Sequence, residues 1–222
     1  MNFKQFCSDI LILSDPEKAT QMSAYMGDQF DFLGVPAPRR RKACEKQFKT
    51  ARDENEIDWE FVEACWEQKF REFQYVAVDY ITLMQHFLKE EDLEKIQKLI
   101  RTKSWWDTVD NFHKPIGTLV MTYPNLEEKI LEWSKDDNIW IRRSAILLQL
   151  GHKKFTNTEL LEAIIKNNFG SKEFFINKAI GWALREYSKT NPDWVANFIR
   201  ENKSELSTLS YREATRFLNQ AN

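Results

Sequence analysis

Two segments of the sequence place aromatic and charged side chains at helical spacing. In KSWWDTVDNF, Trp106 and Asp110 are four residues apart, which puts both on one face of a helix. In SKEFFINKAIGWALREYSK, Lys178, Trp182 and Arg185 follow one another at spacings of four and three, again on one face. Cations neutralise phosphates and tryptophan rings cover bases or sugars, so these faces suit a nucleic-acid backbone.

Asp110 is the acidic member of this set, to which Arg143 in NIWIRRSAILLQL adds a further cation. A carboxylate that faces DNA weakens binding unless positive charge develops beside it during a reaction. Cleavage of an N-glycosidic bond develops such charge, because C1′ becomes oxocarbenium-like, and a fixed carboxylate can stabilise it or orient attacking water. A base made cationic by alkylation already leaves readily, so this chemistry needs no metal, lysine nucleophile or second carboxylate.

The same residues also have ordinary structural interpretations. Trp106 and Trp182 are typical of the large aromatics that helix-pair repeats bury. For Asp110 alone, the default is a solvated or capping-like carboxylate paired with Lys114 at i+4. Ordinary surface charge is the default for the three remaining cations, Arg143, Lys178 and Arg185. Periodicity alone therefore indicates a binding scaffold.

The composition favours helix throughout the chain. The 222 residues are 42% hydrophobic and contain only six glycines and six prolines, enough for one sizeable helical core with few turns. The formal net charge of −2 gives no global attraction to nucleic acid. Any nucleic-acid binding therefore requires cations that are segregated onto one face.

The cysteines and the N-terminus indicate a cytoplasmic protein. Cys7, Cys44 and Cys65 show neither C-x-x-C spacing nor a nearby histidine cluster, which favours free thiols in a reducing compartment and no metal site. The segment MNFKQFCSDILIL lacks a basic start and a cleavage site, and no apolar run approaches membrane-spanning length. We expect no membrane association.

An aromatic residue recurs near the start of successive long helices, at intervals of 33, 34 and 34 residues: Phe73, Trp106, Trp140 and Phe174. A period of this length predicts two helices per repeat. HEAT-like repeats are favoured, because the tetratricopeptide pattern does not appear where it should. We predict an all-α fold, an α-solenoid of about six HEAT-like antiparallel helix pairs forming one domain over residues 1–222, with a concave groove for DNA.

Proline and apolar spacing predict the helix boundaries. Pro16, Pro38 and Pro192 each lie in the first turn of a predicted helix. The segment Phe30 to Pro36, FDFLGVP, is predicted to be a packed loop because of its apolar content. The remaining helices are predicted at about 58–69, 72–89, 91–101, 104–122, 125–135, 138–151, 157–168, 171–189 and 210–220.

Six segments in the correct order carry a resemblance over essentially the whole chain: DPEKATQMSAYM, FDFLGVPAPRRR, REFQYVAVDYI, KSWWDTVD, DNIWIRRSAILLQL and SKEFFINKAIGWALREYSKTNPDW. The sequence resembles the AlkD-like DNA alkylation repair family. The resemblance implies a monomeric, cofactor-free monofunctional glycosylase. Its implied substrates are positively charged N3- and N7-alkylated purines in duplex DNA, such as 7-methylguanine and 3-methyladenine. Such enzymes release the base without flipping it and so initiate base excision repair.

The resemblance also implies residue roles. Asp110 matches the catalytic aspartate, and Trp106 and Trp182 match tryptophans that press on the lesion's sugar and backbone. The positions that match further DNA contacts are Arg143, Arg185, Tyr25 and Lys178. A departure at Gly27 and Asp28, where active relatives are more basic, predicts a weaker N-terminal grip. The alternative class is a non-catalytic HEAT-like scaffold that binds DNA structure or protein.

Overall fold

The computed structural model describes residues 3–218, which form α-helices, short 3-10 helices and turns without a β-strand. The predicted all-α class is confirmed, and helices that are consecutive in the chain pack in pairs, as an α-solenoid requires. The chain divides into two compact units, one ending at Leu88 and one beginning at Lys89. Organisation as one domain over 1–222 stays a prediction. No helix among the described residues is long and apolar enough to span a membrane.

The first unit is built around aromatic ring contacts. Phe61 contacts Phe6 with ring centroids 5.3 Å apart and Tyr80 with centroids 5.4 Å apart, and all three rings are buried. Two of its helices begin at aspartate caps, because Asp15 accepts the N–H of Lys18 and Asp58 accepts that of Phe61. Its helices are α1 (Phe3–Leu11), α2 (Pro16–Tyr25), α3 (Ala37–Asp53), α4 (Trp59–Glu67) and α5 (Arg71–Leu83), followed by a 3-10 helix at Gln85–Phe87.

The predicted packed loop at residues 30–36 is confirmed. Its backbone is held by the fully buried carboxylate of Glu72 on α5, which accepts the N–H groups of Leu33, Gly34 and Val35 at 2.9, 2.9 and 3.0 Å. Gly34 has φ +81°, and a Cβ there would lie 2.0 Å from the carbonyl oxygen of Asp15. The loop therefore packs directly against the start of α2.

The second unit contains the helices that carry most of the candidate site residues. Asparagine caps fix three of its helix starts, at Asn138, Asn157 and Asn191. Its α-helices are α6 (Asp92–Arg101), α7 (Trp106–Val109), α8 (His113–Thr122), α9 (Leu126–Trp133), α10 (Ile139–Leu147), α11 (Thr158–Lys166), α12 (Phe174–Ser188), α13 (Pro192–Glu201) and α14 (Thr208–Ala214). Short 3-10 helices occur at Asp110–Phe112 and Lys153–Phe155.

The helix predicted at 104–122 differs from the observed structure in two ways. It begins only at Trp106, because Trp105 is extended, and it is interrupted by the 3-10 helix at Asp110–Phe112. Pro115 accounts for the interruption, since it has no N–H to donate to the carbonyl of Asn111 four residues earlier. The last helix runs over 208–214 instead of 210–220, and residues 219 and 220 lie outside the described range.

Candidate active site

Asp110 lies at the break between α7 and α8. The N–H of His113 bonds to its carbonyl oxygen, and the Nδ1 atom of the same histidine lies 2.6 Å from that oxygen. Because a carbonyl oxygen only accepts, Nδ1 carries the hydrogen in this contact. The carbonyl group of Asp110 is thus bound by both the main chain and the side chain of His113. These two contacts fix the backbone position from which the Asp110 side chain extends.

Arg143 on α10 holds the carboxylate of Asp110 in a two-point ion pair. Its Nε donates to Oδ1 at 2.6 Å and its Nη2 donates to Oδ2 at 2.7 Å. Its remaining Nη1 group donates to the carbonyl oxygen of Phe175 on α12. Arg143 therefore ties together three segments of the second unit. The sequence alone favoured a surface position for this arginine, but only 4% of its side chain is exposed.

The carboxylate of Asp110 stays accessible, with 14% of its side chain exposed. Each oxygen accepts one N–H from Arg143, and a carboxylate oxygen has room for a second partner. A fixed, partly exposed carboxylate of this kind can stabilise a developing cation or orient a water molecule without reorganising. Its partner is Arg143, and the i+4 pairing with Lys114 that the sequence also allowed is not the one formed.

Trp106 opens α7 one turn before Asp110 and is half-buried. Next to it along the chain, Trp105 belongs to an aromatic cluster with Trp140 and Phe175. The ring centroids are 5.6 Å apart for Trp105 and Trp140, 5.4 Å for Trp105 and Phe175, and 4.9 Å for Trp140 and Phe175. The guanidinium carbon of Arg143 lies 5.7 Å from the centroid of the Phe175 ring. This cluster therefore lies next to Arg143.

Two members of this cluster were not predicted from the sequence. The recurring aromatics of the sequence are Trp106, Trp140 and Phe174, yet the rings that meet are Trp105, Trp140 and Phe175. Phe174 is instead 59% exposed. The signal was present as an exact interval of 35 residues between the contacting positions. At Trp105-Trp106 and Phe174-Phe175 the chain offers two adjacent rings, and a period alone does not tell which of the two turns inward.

Lys178, Trp182 and Arg185 lie along α12 and are each half-buried. The two cations are not free, because both pair with the buried carboxylate of Glu213 on α14. Trp182 and Arg185 line an open groove together with four further residues, Glu186, Lys189, Arg216 and Phe217. Glu213 was missed by the sequence analysis, although its separation of 35 residues from Lys178 matches the repeat.

Tyr25 is the last residue of α2 in the first unit and is 74% exposed.

Among the candidate site residues, the structure brings Asp110 together with Arg143, and Lys178 together with Arg185 through Glu213. The roles of all seven candidate residues stay predictions.

The cysteines are not candidates for a nucleophile. Within residues 3–218, Cys7, Cys44 and Cys65 are all free, as predicted. Burial raises the pKa of the Cys44 thiol to about 12 and raises the pKa values of Cys7 and Cys65 as well. Such thiols carry little thiolate near neutral pH. In the same described range, no group of three or more His, Cys, Asp or Glu side chains is placed to hold a metal ion.

Comparison with known proteins gives one consistent result. The sequence model of a family described as DNA alkylation repair enzyme matches residues 9–218. Among solved structures, the chain is similar to a predicted DNA alkylation repair enzyme from Enterococcus faecalis, with 37% sequence identity and a TM-score of 0.84. That similarity covers 92% of this chain and 96% of the other. No curated protein matches the chain.

Proposed function

Because the chain belongs to the family of DNA alkylation repair enzymes, we propose that it is a monofunctional DNA-N-glycosylase. Its proposed substrates are positively charged N3- and N7-alkylated purines in duplex DNA, released without base flipping as the first step of base excision repair. We further propose that it acts as a cytoplasmic monomer without a cofactor. The observation that carries the proposal is the partly exposed carboxylate of Asp110, fixed at both oxygens by Arg143.

In the proposed reaction, the N-glycosidic bond breaks and its electron pair leaves with the alkylated base, which becomes neutral. C1′ of the sugar then carries developing positive charge, and Asp110 stabilises that charge or orients the attacking water. Water adds to C1′ and loses a proton to solvent, which leaves an abasic site. The half-buried ring of Trp106, one turn before Asp110, is proposed to lie against the sugar, as is Trp182.

The proposed substrate contacts are cations of the second unit and one tyrosine of the first. Lys178 and Arg185 on α12 are proposed to bind backbone phosphates, and Tyr25 is proposed to contact DNA from α2. Arg143 is proposed to hold the DNA beside the lesion while it orients Asp110. An enzyme of this design depends on a charged leaving group, so uncharged lesions such as uracil should be released poorly.

We expect Asp110→Asn to lower base release by a factor on the order of 100 to 1,000, the usual effect of removing one preorganised electrostatic group. The measurement is free base release from a duplex with a single 7-methylguanine, compared with spontaneous loss. Asp137→Asn is the matched control, since this substitution makes the same chemical change at an exposed aspartate outside the site. Circular dichroism must show that Asp110→Asn stays folded, because its partner Arg143 is buried.

Equal release by wild type and Asp110→Asn would remove Asp110 from the mechanism. Release of uracil as fast as 7-methylguanine would contradict the charged-leaving-group chemistry.

A second candidate is a non-catalytic scaffold that binds DNA structure or protein. It is favoured by the net charge of −2 and by the internal pairing of the candidate cations with Asp110 and Glu213. Folded wild-type protein that binds duplex DNA but does not release 7-methylguanine would select the DNA scaffold. A folded protein that binds no duplex even at low salt would select protein binding.

A further inference from the structure

Glu213 on α14 is a buried carboxylate surrounded by three cations from two segments. Lys178 Nζ on α12 lies 2.8 Å from Oε1, and Arg185 of the same helix donates to Oε2. Arg216, just beyond the end of α14, places its Nη1 3.6 Å from Oε2. The hydrogen bond from Lys178, with the two guanidinium groups nearby, holds the pKa of Glu213 below its ordinary value of 4.5. We call these four residues the α12–α14 cluster.

The close approach of two helices makes this cluster possible. Gly181 lies on α12 against α14, and a Cβ at this position would come within 2.5 Å of the Cβ of Glu213 and 3.0 Å of the carbonyl oxygen of Ser210. Ser210 also donates its hydroxyl to the carbonyl oxygen of Asn177 at 2.8 Å. The position of Glu213 is therefore set by backbone contact between α12 and α14, and its cations gather around a fixed point.

The carboxylate of the cluster is buried beneath its cations, whereas the side chains of the cations are themselves partly exposed to solvent. Only 5% of the Glu213 side chain is exposed, against 36% for Lys178, 21% for Arg185 and 62% for Arg216. Three cations and one carboxylate leave the cluster with a surplus of positive charge on its outer side. An anion can therefore contact the cations without meeting the carboxylate beneath them.

The groove beside the cluster has the character of a nucleic-acid contact. Arg185 and Arg216 line it with two aromatic side chains, Trp182 and Phe217. Lys189 lies over the Phe217 ring, with its Nζ 5.2 Å from the ring centroid. The lining also contains Glu186, which pairs with Lys189. Cations next to aromatic side chains suit the phosphates and sugars of a nucleic-acid backbone.

We propose that Glu213 is a positioning residue that holds Lys178, Arg185 and Arg216 as one site for a backbone phosphate of duplex DNA. Arg216, just beyond the end of α14, supplies an additional phosphate contact in this site. The proposal rests on the proposed function for its ligand, duplex DNA, but it does not depend on base release. It assigns a role in substrate binding to Glu213 and Arg216, and none in the bond-breaking step.

The first test is the salt dependence of binding to an undamaged duplex, followed by fluorescence anisotropy. Loss of one phosphate contact in Arg216→Gln should reduce the slope of log affinity against log salt by about 1. Arg200→Gln is the matched control, because Arg200 is an exposed arginine at the end of α13, outside the cluster. An Arg216→Gln slope equal to that of the wild type and the control overturns the proposal.

The second test separates positioning from simple charge. Glu213→Gln makes the protein more positive, so a purely electrostatic effect would tighten duplex binding. Positioning predicts the reverse, a loss of about fivefold or more in affinity at fixed salt, because the three cations lose their common partner. Glu205→Gln, an exposed carboxylate with the same charge change, is the control and should bind at least as tightly as wild type. Unchanged or tighter binding by Glu213→Gln overturns the positioning role.

Base release distinguishes this proposal from the proposed function. If the wild type releases 7-methylguanine, Arg216→Gln should raise KM and leave kcat unchanged, since the contact serves binding in ground and transition states alike. If the wild type binds duplex with the expected slope change but releases no base, the glycosylase proposal fails and the phosphate site stands. If the folded wild type binds no duplex at low salt, the phosphate site fails.

Discussion

Arg143 is the residue on which the geometry of Asp110 depends. A guanidinium can donate two parallel hydrogen bonds to a carboxylate, and here a third donor is used on the carbonyl of Phe175. Neither a lysine nor a neutral donor offers this planar fork. The catalytic role proposed for Asp110 therefore requires Arg143 even where the arginine contacts no DNA.

We expect Arg143→Ala to destabilise the protein by about 3–5 kcal/mol, since it leaves the Asp110 carboxylate without its partner in a mostly buried site. Urea unfolding followed by circular dichroism measures this change. Arg142→Ala, on the same helix and bonded only at 3.3 Å to the carbonyl of Asp136, should cost much less. Equal effects of the two substitutions would show that the ion pair contributes nothing specific.

The sequence identified the members of this pair but could not pair them. Asp110 and Arg143 were each singled out, yet their contact joins positions 33 residues apart in neighbouring repeats. A repeat period near 34 brings such positions into the same neighbourhood without fixing which side chains meet. Burial of Arg143 was not foreseen for the same reason, since its acceptor on α12 is a backbone carbonyl that leaves no trace in residue type.

Helix boundaries were more predictable than helix interruptions. Pro16 and Pro192 begin helices as expected, because proline in the first turn sacrifices no hydrogen bond. The interruption at Asp110–Phe112 was not predicted, although Pro115 in KPIG carries the signal for it. The packed loop at 30–36 was predicted from its apolar residues. The carboxylate that binds its backbone N–H groups was not predicted, because Glu72 lies on α5, more than 35 residues further along the chain.

The contact between α12 and α14 gives a prediction at the level of the helices. An alanine in the middle of a helix is usually about 1 kcal/mol more favourable than a glycine. Gly181→Ala should instead destabilise by about 1–3 kcal/mol, because the added Cβ meets Glu213 at 2.5 Å and forces α14 away. Urea unfolding decides the sign. A stabilised Gly181→Ala variant would show that the two helices separate without cost.

Across the whole molecule, the net charge of −2 conceals how the cations are distributed. The candidate DNA-contacting cations of the second unit pair with internal carboxylates, which leaves a modest local surplus of charge without a strongly basic protein. The resemblance to DNA alkylation repair enzymes, carried by six ordered segments, is confirmed by the family match over residues 9–218. Composition alone could not have reached this conclusion, because it reports the sum of the charges and not their placement.

The stability of the protein should also depend on pH through two half-buried histidines, His113 and His152. Burial is the main cause that lowers both pKa values below 6.5, and each histidine also lies near another cationic group: Lys114 for His113, and His113 for His152. The His152 ring packs directly against α8, since a Cβ on Gly117 would lie 2.6 Å from its Nε2. The folded protein therefore favours the neutral form of both rings.

The sign of the effect follows from proton binding. Between 6.5 and the lower pKa of the folded state, the unfolded chain binds more protons, so the free energy of unfolding falls as pH falls. Above 6.5 both states hold neutral rings and this loss is absent. We expect wild-type stability, measured by urea unfolding, to decline from pH 7 to pH 5, and His152→Gln to show a shallower decline. His86→Gln is the control, because His86 is exposed. A decline in His152→Gln as steep as in the wild type would contradict the assignment of this pH dependence to His152.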